Sequence, residues 1–116
     1  MAFNEKIDAE HIRVDNVDDL SKIRGSKYIQ SNIGNSYKNA RKDLEDGKYV
    51  LFTGTPCQIE GFQTFLRKNY ENLYLQDIIC HGVPSKKIFD KYLRYKEEKS
   101  GKIEDFSFRN KDNKGW

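Results

Sequence analysis

The sequence predicts an α/β (or α+β) fold with a small, mostly parallel sheet and a β-α-β-α-β core with flanking helices. Three observations point to it. Short apolar runs at 49–52, 73–79 and 103–109 alternate with stretches of helical period. Each successive pair of runs is separated by one helix-length segment, as parallel pairing through right-handed crossovers requires. The segment after the first run opens on Thr55-Pro56-Cys57-Gln58, where Thr55 and Gln58 have capping-box spacing and Pro56 takes the first helical position.

The elements follow in order. His11-Ile12-Arg13-Val14 alternates and reads as a short strand. Residues 18–24 carry acidic groups first and basic ones last, which suits a short helix ended by Gly25. A helix over 36–46 puts Tyr37, Ala40, Arg41 and Leu44 on one face, with Gly47 just past its end. Tyr49-Val50-Leu51-Phe52 has the continuous apolar character of a buried strand. The helix from Pro56 through about 67 buries Ile59, Phe62, Phe65 and Leu66. The second strand, 73–79, runs into Cys80-His81-Gly82-Val83-Pro84-Ser85. Ser85 can cap a helix through about 98 that buries Ile88, Phe89, Tyr92 and Leu93, and Gly101 ends it. The third strand is expected over 103–109, with Phe106 and Phe108 on one face. Residues 108–116 then resemble the start of a hairpin or return strand.

The 116 residues are expected to form a single domain, 1–116. Its closing Trp116, with no partner after it, suggests a truncated part of a larger domain. Hydrophobic residues are only 36% of the chain and charged ones 34%, so the core leans on seven Tyr, seven Phe and one Trp. The net charge of +3 is spread among both signs, without the basic stripe that nucleic acid requires. No apolar stretch approaches the ~20 residues of a membrane span. The first residues lack the apolar run of a signal peptide. Two cysteines in such a chain suggest reduced thiols and a cytoplasmic setting.

Those cysteines carry the chemistry. Cys57 and Cys80 each fall where a strand ends and a helix begins. In a parallel sheet both loops lie on the carboxyl edge of the strands, where open α/β folds bind ligands. Neighbouring strands would bring the sulfurs within roughly 5–10 Å. Cys57 would take the second helical position, beside unpaired amides and the positive end of the dipole, a place that favours a thiolate. The amides of Gly54 and Thr55 could face an anionic group there, such as a flavin pyrophosphate. Either cysteine alone also fits a small buried hydrophobe. His81 suits a ligand, a proton donor or a plain hydrogen-bonding residue, and His11 has no assigned role. Two thiols and one His leave a zinc or four-iron site incomplete. The phosphatase loop is excluded, because Gln63 stands where its Arg belongs.

Read together, three segments resemble a known family in order and spacing. They are Arg24-Gly25-Ser26-Lys27-Tyr28-Ile29-Gln30-Ser31, Val50 through Gly61 with its Gly54-Thr55-Pro56-Cys57-Gln58, and Asp77-Ile78-Ile79-Cys80-His81-Gly82-Val83-Pro84-Ser85. The family is the coenzyme F-420 hydrogenase/dehydrogenase beta subunit, in its C-terminal domain, and the closing 106–116 is similar to it as well. The resemblance implies an oxidoreductase subunit with FAD and a four-iron four-sulfur (4Fe-4S) cluster. It would move electrons between coenzyme F-420, or another hydride donor, and iron–sulfur partners such as other redox subunits or a ferredoxin-like domain. It implies Cys57 and Cys80 as two cluster ligands, with a further C-x-x-C beyond this chain supplying the others. It implies Ser26, Lys27, Tyr28, Gln30, Ser31, Thr53, Gly54, Thr55, His81 and Gly82 as cofactor-binding residues. The catalytic residue is unassigned, and both cofactors are expected to be absent or incomplete in a fragment. Two competing readings remain: a cytosolic thiol enzyme with Cys57 as nucleophile, and a non-catalytic docking module of a redox complex.

Overall fold

The computed structural model describes residues 1–109. Its elements are β1 (Ala2–Phe3), β2 (Ala9–Glu10), α1 (Leu20–Ile23), α2 (Ser36–Glu45), β3 (Val50–Gly54), α3 (Pro56–Leu66), β4 (Leu73–Asp77) and α4 (Lys86–Ser100). They fall into two units. One comprises Ile33–Gly82; the other joins Met1–Asn32 to Val83–Trp116.

The Ile33–Gly82 unit is a βαβ motif with α2 laid against it. β3 and β4 pair in parallel, from Val50↔Leu73 to Gly54↔Asp77, with α3 as the crossover. The capping box expected at Thr55 and Gln58 is formed, and the Thr55 amide donates to Gln58 Oε1 over 3.0 Å. The two helices end differently. Gly47 takes the left-handed angle (φ 78) beyond α2, whereas α3 ends on Arg67 (φ 59), which bears a strain that glycine would not. Phe62, fully buried, packs its ring, tilted, with its centre 4.4 Å from that of Phe52 and 5.1 Å from that of Tyr37, and Leu44 and Leu66 complete the core. The Asn72 amide ties the end of α2 to the start of β4 by donating to the carbonyls of Leu44 (3.1 Å) and Lys48 (2.6 Å).

Expectation and structure part at the sheet. Tyr49-Val50-Leu51-Phe52 was expected to be buried throughout, yet β3 alternates. Phe52 is buried, Val50 is half-buried against the core, and Leu51 is 62% exposed. The reason is that α2 and α3 cover only one face of a two-stranded sheet. Leu51 with its partner Tyr74, and Thr53 with Gln76, stand on the other face.

The other unit has little regular structure besides α4. β1 and β2 form a two-residue antiparallel pair, Ala2↔Glu10 and Phe3↔Ala9, closed by a turn in which Asn4 Oδ1 accepts the amides of Lys6 and Asp8. The strand expected at 11–14 does not form. Pairing stops at Glu10, which bridges to Asn32, and the His11 amide donates to the Asn32 carbonyl. The core is Ala9, Ile29 and Phe89, with Phe3, Leu93, Phe106 and Phe108 packed against it.

Two further expectations are corrected here. α4 buries a narrower stripe than its pattern suggests: Phe89 is buried and Leu93 half-buried, while Ile88 and Tyr92 are exposed. Residues 103–109 form no strand. Local bonds take their polar groups instead, from the Phe106 amide to Asp105 Oδ1 and from Ser107 Oγ to the Arg109 carbonyl. Phe106 and Phe108 do share a side, meeting the Phe89 ring at 5.1 and 5.7 Å. The return strand expected toward Trp116 lies outside the described residues. Among those residues no helix is long and apolar enough to cross a membrane.

Candidate functional site

The two cysteines are placed by the register of β3 and β4. Gly54 pairs with Asp77 at the carboxyl end of the sheet, and the Ile78 amide donates to the Gly54 carbonyl over 3.1 Å. Cys57 lies three residues beyond Gly54, and Cys80 three residues beyond Asp77. The parallel pair therefore delivers both to one edge, at equal offsets from one register position. Both are exposed and neither is in a disulfide.

Cys57 is the second residue of α3, after Thr55 at the N-cap and Pro56. Its sulfur lies 3.2 Å from Thr55 Oγ1. Cys80 sits in the loop after β4, and its sulfur accepts the Gly82 amide over 3.4 Å. The Thr55 amide is committed to Gln58 Oε1. This corrects the expectation that it would be free to face an anion, because the capping box uses it. Thr53 is exposed on the outer face of β3, and His81 is exposed beside Cys80.

Sequence reasoning placed Tyr37 only on a core face. Its hydroxyl donates to the Gln58 carbonyl over 2.7 Å. Burial pushes the phenol above its ordinary range, and the neighbouring Cys57 sulfur adds to the shift. Nothing local to Cys57 signals this neighbour, which reaches it from α2.

Residues 26–31 belong to the other unit. Arg24, Ser26 and Lys27 line a cavity of about 560 Å³ together with Phe3, Phe106 and Lys22, and with the acids Glu10 and Asp105. Tyr28, Gln30 and Ser31 do not line it. Tyr28 packs edge-on to Phe108 at 5.6 Å, and Ser31 bonds His11 Nδ1 at 3.2 Å. Lys27 is buried. Its ammonium donates to the carbonyls of Arg24 (2.9 Å) and Gly25 (3.3 Å) and lies 5.5 Å from the centre of the Phe3 ring. Desolvation holds its pKa below the ordinary lysine value.

No group of three or more His, Cys, Asp or Glu able to hold a metal ion occurs among the described residues. The donor set at the sheet edge is two thiols. Their chemistry fits iron–sulfur ligation, and their number supplies part of the set a four-iron cluster uses. Residues 47–116 match the family model that describes the C terminus of the coenzyme F420 hydrogenase/dehydrogenase beta subunit. No curated protein and no solved structure matches the chain.

Proposed function

The chain belongs to the coenzyme F420 hydrogenase/dehydrogenase beta-subunit family through its C-terminal region, and from that premise we propose that it serves an electron-transfer subunit whose Cys57 and Cys80 are two ligands of an iron–sulfur cluster. The observation that carries this reading is the equal offset of the two cysteines beyond the Gly54–Asp77 pair. Two thiols, exposed and free of any disulfide, arrive at the edge where parallel α/β sheets bind ligands. When bound, a flavin would exchange electron pairs with a hydride donor, F-420 or another, and a 4Fe-4S cluster would exchange single electrons with iron–sulfur partners.

The chain's own residues have separate tasks. Cys57 and Cys80 give sulfur to the metal. Thr53, Gly54, Thr55, His81 and Gly82 shape the rim on which those sulfurs stand. In the other unit, Ser26 and Lys27 serve the cavity, whose volume is that of an ordinary ligand site. Its Phe3 and Phe106 rings offer apolar contact, and Lys22 and Arg24 supply positive charge for the anionic part of a flavin, set against the acids Glu10 and Asp105 in the same lining. Tyr28, Gln30 and Ser31 extend that segment outside the lining. Other redox subunits or a ferredoxin-like domain in the cytoplasm would be the electron partners.

The test uses the full-length protein made anaerobically with iron and flavin supplied. Cys57→Ser and Cys80→Ser should each abolish the visible absorbance of the cluster. A spectrum that survives both changes removes these residues as ligands. Rapid alkylation of Cys57 by iodoacetamide at neutral pH, with Cys80 dispensable, favours a thiol nucleophile. A colourless parent favours a docking module.

A further inference from the structure

Each cysteine sulfur has a hydrogen-bond partner two residues away, on opposite sides in sequence. Thr55 Oγ1 precedes Cys57 and lies 3.2 Å from its sulfur. Gly82 follows Cys80 and donates its amide to that sulfur over 3.4 Å. Sulfur is a weak acceptor, and both residues are exposed to water. Satisfying the thiols therefore does not require either partner.

Both partners also depend on particular chemistry. Thr55 is the N-cap of α3, with extended backbone (φ −78, ψ 159), and the capping box turns its side chain toward the Gln58 amide. An oxygen that accepts that amide keeps its own proton for a second acceptor, and the Cys57 sulfur is in reach. Gly82 has φ 103, an angle that side-chain-bearing residues rarely adopt. A Cβ built there would meet nothing within 4 Å. Space does not call for glycine at 82; the backbone angle that accompanies the return of its amide to the sulfur does.

We infer that Thr55 and Gly82 are positioning residues, each holding its cysteine side chain in a single rotamer ready to receive a metal. Their meaning for electron transfer rests on the ligand assignment proposed above, since hydrogen bonds to ligand sulfurs are one of the levers that set a cluster's potential. The positioning itself exists without metal and can be read without it.

The experiment measures the χ1 couplings of both cysteines by NMR in the metal-free chain. Thr55→Gly removes the hydroxyl, and glycine is itself a favoured N-cap residue, so α3 should persist. Thr55→Ser keeps the hydroxyl, and Gly82→Ala disturbs the other partner. The expected pattern is crossed. Thr55→Gly averages the Cys57 rotamer and leaves Cys80 fixed; Gly82→Ala does the reverse; Thr55→Ser leaves both fixed. Couplings at Cys57 unchanged by Thr55→Gly would overturn the inference, as would averaging of both cysteines by either variant. If the rotamers respond as expected but the full-length protein never takes up iron, the ligand assignment fails and the positioning stands.

Discussion

The two units solve the same problem, covering aromatic side chains, by different means. Ile33–Gly82 is one uninterrupted stretch. Its strands are joined by their own crossover helix, and a five-residue parallel ladder holds them. Phe52 and Phe62 meet inside a frame that backbone hydrogen bonds already define. The other unit is assembled from two stretches far apart in sequence. It gathers Phe3, Phe89, Phe106 and Phe108 around a two-residue strand pair and one helix. It also buries a lysine whose described partners are carbonyls and a ring. The first arrangement has a hydrogen-bonded edge on which to stand two sulfurs. The second has a cavity bordered by residues from separate segments.

The largest effect expected from this contrast is in the cores. Phe62→Ala should cost about 3–5 kcal/mol, because the ring is fully buried and the ladder around it limits collapse into the space. Phe89→Ala should fall at or below the lower end of that range, since its neighbours are held by few backbone bonds and can close the gap. Urea unfolding with site-specific probes in each unit checks the order. A loss from Phe89→Ala equal to or greater than that from Phe62→Ala would break the comparison.

A smaller effect should appear at alkaline pH, with opposite signs in the two units. Lys27 has a folded pKa below its ordinary value of 10.5. The unfolded chain therefore binds more protons in that window, and stability rises with pH up to about 10.5. Tyr37 has a folded pKa above its ordinary value of 10.0. There the folded chain binds more protons, so stability is full below about 10.0 and is lost as pH climbs through the raised value. Following each unit's unfolding midpoint between pH 8 and 11 (roughly the window around these ordinary values) should show the divergence. Lys27→Met should flatten the rise and Tyr37→Phe the fall.

The same contrast explains what could be read from the residues alone. In 33–82 the information is local. Thr55, Pro56 and Gln58 announce a helix start, Gly47 announces a helix end, and the spacing of Ile59, Phe62, Phe65 and Leu66 marks the buried face of α3. The shared edge of Cys57 and Cys80 follows from that alternation before any coordinates. What sequence could not supply was the number of layers, so the exposure of Leu51 and Tyr74 went unforeseen. The other unit was far less legible. The β1–β2 strands are too short to carry a periodic signal. The aromatic alternation at 103–109 reflects packing on Phe89 instead of a ladder. Of the segment 26–31, alternation alone does not reveal that Lys27 turns inward while Tyr28 stays exposed. The bond from the Tyr37 hydroxyl to the Gln58 carbonyl joins α2 to α3 and is invisible at the level of either motif.

The central claim is that residues 57 and 80 share one rim of the β3–β4 pair, and a short thiol-to-thiol crosslinker reads it most directly. Treated at low protein concentration with a reagent spanning about 5–10 Å, the distance expected of loops on neighbouring strands, the chain should give one intramolecular product. Peptide mass spectrometry should find Cys57 joined to Cys80. Two singly capped cysteines in every molecule, with no bridge between them, would contradict the account.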